Sequence, residues 1–156
     1  NDVIAKYNDC AELYWQFVGS DFEINADKIT GTITLPSEVE KKEDIRVWGH
    51  TEGLNGEIYA TGLNKVEFEI NHFVNGRFVE VRVAVPTDTI IYSDRTYNTE
   101  KLNSIITEET KWAEDANKRR ERQQAEERII AIISFIISLA ICAFLIYRTV
   151  KDIKFI

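Results

Sequence analysis

Apolar and polar residues alternate with two different periods along this chain, and one stretch shows no alternation at all. In 28–35 (KITGTITL), Ile29, Gly31, Ile33 and Leu35 alternate with Thr30, Thr32 and Thr34. That is the two-residue period of a half-buried strand, and Pro36 ends it. Val66, Phe68 and Ile70 alternate in the same way with Lys65, Glu67 and Glu69. In 78–85 (FVEVRVAV), Val79, Val81, Val83 and Val85 share one face while Glu80 and Arg82 share the other, and Pro86 closes the run. The aromatic-rich 13–24 reads as two strands, or a strand after a short turn, broken at Gly19-Ser20-Asp21. A further short strand covers 45–50 (IRVWGH), the Asn55-Gly56 pair reads as a hairpin turn, and Asn75-Gly76 gives another turn signal. The charged 37–44 (SEVEKKED) reads as a solvated loop. Short strands at regular spacing predict a mainly β fold over 1–97, an antiparallel, immunoglobulin-like β-sandwich.

From Asn98 the period lengthens. Thr99 is placed to cap a helix, and Leu102, Ile105, Ile106, Trp112, Ala113 and Ala116 form one apolar stripe at helical spacing. Leu102, Ile105 and Trp112 are the expected anchors of this stalk on the sandwich. The stripe fades into 117–128 (NKRRERQQAEER), polar all round, so 98–128 reads as a helical stalk ending in a polar neck. Opposite charges four apart, such as Arg122 and Glu126, each add only about 0.2–0.5 kcal/mol of local helix support. Then 129–147 (IIAIISFIISLAICAFLIY), opening on Ile129 and closing on Tyr147, carries no charge and no polar face. At about 1.5 Å per residue it is near the roughly 30 Å of a hydrocarbon core. It is a transmembrane helix, followed by a short stub at 148–156. No Gly or Pro interrupts 100–150, so one long helix or two nearly collinear ones are expected.

Charge changes the picture because it is unevenly spread. Residues 1–110 carry 10 Lys+Arg against 20 Asp+Glu, a net −10, whereas 111–128 carry 6 against 5. An acidic head argues against nucleic acid or anionic lipid as its partner, since both demand a basic footprint. The two cysteines, Cys10 in the head and Cys142 in mid-span, exclude a disulfide framework and a Cys-rich zinc site. Cys10 reads as a small buried residue. The chain has no methionine, which implies that it belongs to a longer reading frame.

Candidate chemistry is sparse. His50 and His72 show no HxH or HxxxH spacing, so they read as loop histidines, and no metal or cofactor is expected. Asp21 with Glu23, and Glu67 with Glu69, lie two apart and face one way on a strand. The second pair, alternating with Val66, Phe68 and Ile70, reads as the wet face of a sheet. Tyr14, Trp15, Phe17 and Trp48 offer either core or a stacking platform, and Tyr14, Trp15, Trp48 and His50 mark the candidate ligand or partner surface. Gly53 and Gly56 are turn chemistry, without the strand-to-helix context of a phosphate loop. Ser134 and Ser138, four apart in the span, are compatible with a helix–helix contact. The neck is too polar at a and d positions for a long two-stranded coiled coil.

Five blocks taken together carry a resemblance: KYNDCAELYWQFVGSDFE (6–23), VWGH (47–50), GLNGEIY (53–59), RFVEVRVAVP (77–86) and ITEETKWAEDANKRRE (106–121). In this order they resemble the N-terminal region of the bacterial membrane-protein family labelled domain of unknown function 2207. The resemblance implies an upstream signal peptide, an extracytoplasmic β domain, a membrane helix and further sequence beyond it. It transfers no catalytic residue. Basic residues alone point the other way, because Lys118, Arg119, Arg120, Arg122 and Arg128 precede the span and only Arg148, Lys151 and Lys154 follow it. The resemblance decides for a head outside the cell membrane and a cytoplasmic C-terminus. The expected role is a non-enzymatic, membrane-anchored binding or scaffolding module. Its expected partners are the lipid bilayer and another envelope or membrane protein, with self-association through stalk and span as a further option. An envelope hydrolase or carbohydrate-binding protein is the alternative.

Overall fold

The computed structural model of the chain describes residues 3–153, with side chains through Arg148; 1–2 and 154–156, including the Lys154 end of the expected stub, lie outside the described residues. The chain divides into two compact units, Asn1–Glu109 and Thr110–Ile156. Among the described residues the first holds eight strands: β1 (Ile4–Lys6), β2 (Ala11–Val18), β3 (Ala26–Thr34), β4 (Arg46–His50), β5 (Asn55–Ala60), β6 (Lys65–Phe73), β7 (Val79–Val85) and β8 (Arg95–Thr96). One helix, α1 (Leu102–Ile153), follows. The fold is mostly β with one long C-terminal helix, as the periodicities predict.

Two sheets share one core. The larger has the order β4-β7-β2-β1-β8 and the smaller β3-β6-β5. The alternation explains the packing: Val79, Val81, Val83 and Val85 of β7 meet Val66, Phe68, Ile70 and Phe73 of β6, with Leu35, Val39, Ile45, Ala60 and Ile90 closing the cluster. Burying each such aliphatic side chain contributes about 1.5–3 kcal/mol before entropy is counted. Glycine is required where the facing side chain leans across the strand. A Cβ on Gly31 would lie 2.1 Å from Phe68 Cζ, and one on Gly56 would lie 2.3 Å from Ile70 Cδ1. Both glycines are the cross-strand partners of those residues.

Several local expectations are corrected. Asn55-Gly56 is not a turn but the start of β5, and the positive φ (68°) sits earlier, at Gly53. The reason is the close approach of Ile70, which needs a residue without a Cβ inside the strand rather than at a turn. Segment 13–24 holds neither two strands nor a strand after a turn: β2 runs to Val18 and the turn at 20–21 follows it, the polar Gly19-Ser20-Asp21 break ending the strand. The 37–44 segment is not wholly solvated, since Val39 is buried and its N–H donates to the Leu63 carbonyl at 2.8 Å. Two strands went unread, the three-residue β1 and the two-residue β8. Those two pair in parallel, the one departure from an antiparallel arrangement among the described strands. Leaving β7 in mid-sheet, the chain must pass along the free side of β1 before it reaches the helix.

That passage straps the helix start to β1. Thr87 Oγ1 donates to the Tyr7 carbonyl, Ser93 Oγ to the Ile4 carbonyl, and the N–H of Tyr97 to the Lys6 carbonyl. Tyr7 and Tyr97 stack with ring centroids 5.3 Å apart. The helix cap also comes from this side: the Asp9 carboxylate accepts from the N–H of Lys101 at 2.8 Å and of Leu102 at 3.0 Å. Thr99 is therefore not the cap. Its carbonyl instead accepts from the N–H of Asn8, and a carboxylate some ninety positions upstream does the capping.

Candidate functional site

Arg82 sits in the middle of β7 on the side away from the valines. Its cross-strand neighbours are Tyr14 on β2 and Trp48 on β4, and the next row holds Gln16, Glu80 and His50. Sheet pairing thus gathers three of the four expected surface residues, Tyr14, Trp48 and His50, on one face around an arginine. Trp15 has the opposite parity, level with Val81, and is 49% exposed. His72 belongs to the other sheet, so the two histidines do not meet.

Arg82 is nonetheless buried, at 3% exposure, because the first two turns of α1 bring carboxylates onto this face. Arg82 Nε donates to Glu12 Oε1 at 2.6 Å, and Nη1 donates to Glu108 Oε2 at 2.8 Å and to Glu109 Oε1 at 2.9 Å. Glu12 and Glu109 are buried as well, while Glu108 is partly exposed. His50 Nε2 lies 3.2 Å from Glu109, and the His50 ring meets Tyr14 edge-on at 6.0 Å. The guanidinium carbon lies 5.0 Å from the centre of the Tyr14 ring, a cation–π geometry, and Tyr14 donates to Glu80 at 3.0 Å. Burial alone would lower the proton affinity of Arg82. The hydrogen bonds to Glu108 and Glu109 and the charge of Glu12 outweigh burial and hold it above its ordinary value. Burial, then the Glu80 hydrogen bond, pushes the Tyr14 hydroxyl up to about 12.

A buried ion network of this kind gains little over an apolar core of the same shape, but losing one member costs about 3–5 kcal/mol, because the others remain buried and uncompensated. It therefore fixes geometry. Glu109 is shared between Arg82 and His50, so it fastens the second turn of α1 to two strands at once. Of the expected anchors, Ile105 is fully buried, Leu102 is half-buried, and Trp112 falls in the second unit at 37% exposure. No group of three or more metal-ligating side chains is present among the described residues.

Arg82, Glu12, Glu108, Glu109 and Asp9 escaped the sequence reading. A signal for Glu109 existed: it continues the helical stripe of Leu102, Ile105 and Ile106 one turn on, where an apolar residue belongs. An acid on an apolar stripe calls for a buried cation, and Arg82, alone in the valine run of β7, is that cation.

The N-terminal-domain model of the predicted membrane protein family DUF2207 matches residues 1–85. The chain belongs to this family. No curated protein and no solved structure matches it. The DUF2207 match ends with β7, so it takes in Glu12, Tyr14, His50 and Arg82, while Glu108 and Glu109 lie past it. In this DUF2207 protein α1 is long and apolar enough to cross a bilayer, and the side chains of 129–147 are exposed throughout. The chain is accordingly a membrane protein, with one candidate span among the described residues.

Proposed function

We propose that this protein is a membrane-anchored binding or scaffolding module that presents its β domain to another membrane or envelope protein. The observation that carries this reading is the Arg82 network. It fastens the first two turns of α1 to the larger sheet, so the β domain and the start of the helix that carries the span form one preorganised unit. The role is non-catalytic in this reading, with the hub acting as fastener. We place the β domain outside the cytoplasm, on the strength of family likeness against the count of basic residues.

Purification of the full chain from its native membranes tests the reading. A partner recovered in stoichiometric amount, and lost from the Arg82→Ala variant, is the expected result; recovery of the protein alone, from detergents that keep the domain folded, would contradict it. Topology is read separately. Ser20→Cys lies in an exposed turn and should react with a membrane-impermeant maleimide in intact cells; reaction only after lysis would reverse the orientation.

A further inference from the structure

The β domain also carries an apolar stripe that its own core leaves uncovered. β1 pairs with β2 only at Ala11, Glu12 and Leu13, so β2 runs on beyond its neighbour. Four consecutive residues, Tyr14, Trp15, Gln16 and Phe17, are exposed there. Phe17 falls at a register shift and leans onto Phe68, with centroids 5.2 Å apart, yet stays 41% exposed. The loop after β2 continues the stripe: Phe22 packs edge-on to Phe73 at 5.8 Å, and Ile24 is 64% exposed. Val74, on the turn after β6, adjoins them, because the N–H of Gly76 donates to the Phe22 carbonyl and the N–H of Asn75 to Asn25 Oδ1. Trp15, Phe17, Phe22, Ile24 and Val74 thus lie exposed on two stitched segments, a concentration that marks interaction sites rather than ordinary surface.

The charges around the stripe select its partner. Asp21, Glu23 and Asp27 are the charged residues of 14–27, and Lys28, which follows them, is engaged by Glu69 at 2.6 Å. Arg77, on the neighbouring turn, is engaged by Glu52 at 3.0 Å. A second copy would set these acids against their own kind, and an anionic lipid or wall polymer would be repelled in the same way.

We infer that the stripe from Trp15 to Ile24, with Val74, docks a basic amphipathic segment of a partner polypeptide: apolar side chains against Trp15, Phe22 and Ile24, and Lys or Arg facing Asp21 and Glu23. The inference deepens the proposed binding role and rests on it. The probe is a synthetic Leu/Lys amphipathic peptide bearing a photoreactive group, compared with its Leu/Glu counterpart. Both are offered to the full chain in zwitterionic nanodiscs, with empty nanodiscs as background. Cross-links should map to 15–24 and Val74, the Leu/Glu peptide should give none, and Asp21→Lys with Glu23→Lys should weaken binding about tenfold or more. Ile24→Ser with Val74→Ser should weaken it comparably while Cys10 stays shielded from thiol reagents, a sign of intact folding. Cross-links elsewhere, equal binding of the Leu/Glu peptide, or a dimer that buries the stripe would each overturn the inference. If a stoichiometric partner is recovered from membranes while the peptide fails, this site falls and the binding role stands; if both fail, so does the role.

Discussion

The two sheets turn opposite faces outward, and the same alternating pattern leads to different physics on each. On the smaller sheet, Lys28, Glu67 and Glu69 stand in water: Lys28 pairs with Glu69 at 2.6 Å while the two remain 52% and 32% exposed. On the larger sheet, Glu12 and Arg82 occupy equivalent outward positions and are buried beneath the start of α1. An exposed pair contributes about 0–1 kcal/mol and is screened by salt. A buried network contributes modestly to net stability but penalises the loss of any member severely. An outward-facing charge on a strand is therefore a solvated residue in one sheet and a fastening point in the other, and what decides is whether a second element arrives to cover it.

Removing the hub should break this comparison most severely. Arg82→Ala leaves Glu12 and Glu109 buried without a cation and should cost about 3–5 kcal/mol in chemical denaturation of the full chain in detergent; a loss below about 1 kcal/mol would mean that water reaches these carboxylates. Gly31→Ala probes the core that both sheets share. The added methyl must displace the Phe68 ring, at an expected cost of about 1–3 kcal/mol in the same assay, and no change would mean that the ring swings freely.

Asp9→Ala, which uncaps α1, should cost about 1 kcal/mol. Its pH dependence sharpens the point. Burial raises the Asp9 carboxyl, but the N–H groups of Lys101 and Leu102 outweigh burial and hold it below its ordinary value. A carboxylate depressed in the folded state stabilises above its unfolded value, about pH 4, and loses that contribution as pH falls through the folded one. The wild type should therefore lose more stability than Asp9→Asn on acidification below about pH 4; parallel profiles would remove Asp9 from the cap. Smallest of all, Lys28→Ala on the wet face should change stability by less than about 1 kcal/mol, and by less still at high salt.

Much of the architecture was legible because its cause is local. The valines of β7 and the alternation in β3 and β6 encode strands with a buried face, and the uncharged 129–147 encodes a span, whatever else the chain does. The unread parts depend on distant segments meeting. Asp9 is an ordinary polar residue until Lys101 and Leu102 arrive above it. β1 and β8 are too short to show a period and exist because the strap runs between the last long strand and the helix. Asn55-Gly56 looked like a turn because local chemistry says so, while the need for glycine came from Ile70 on the next strand. At the hub, nothing in β7 alone shows that the Arg82 side is covered, yet the helix side had left its mark in Glu109. Cys10 was legible in its burial; burial, with the charges of Asp9 and Glu12 adding to it, pushes its thiol up to about 12.

Arg82 and Glu109 act as one unit that fastens α1 to the sheet. A double-mutant cycle of Arg82→Met and Glu109→Met tests it most directly, read by near-UV circular dichroism of the full chain during denaturation. Strong non-additivity is expected, with the double variant at least about 1.5 kcal/mol more stable than the two single losses would sum to. Additivity within about 0.5 kcal/mol would contradict it, because the two residues would then be stabilising the protein independently.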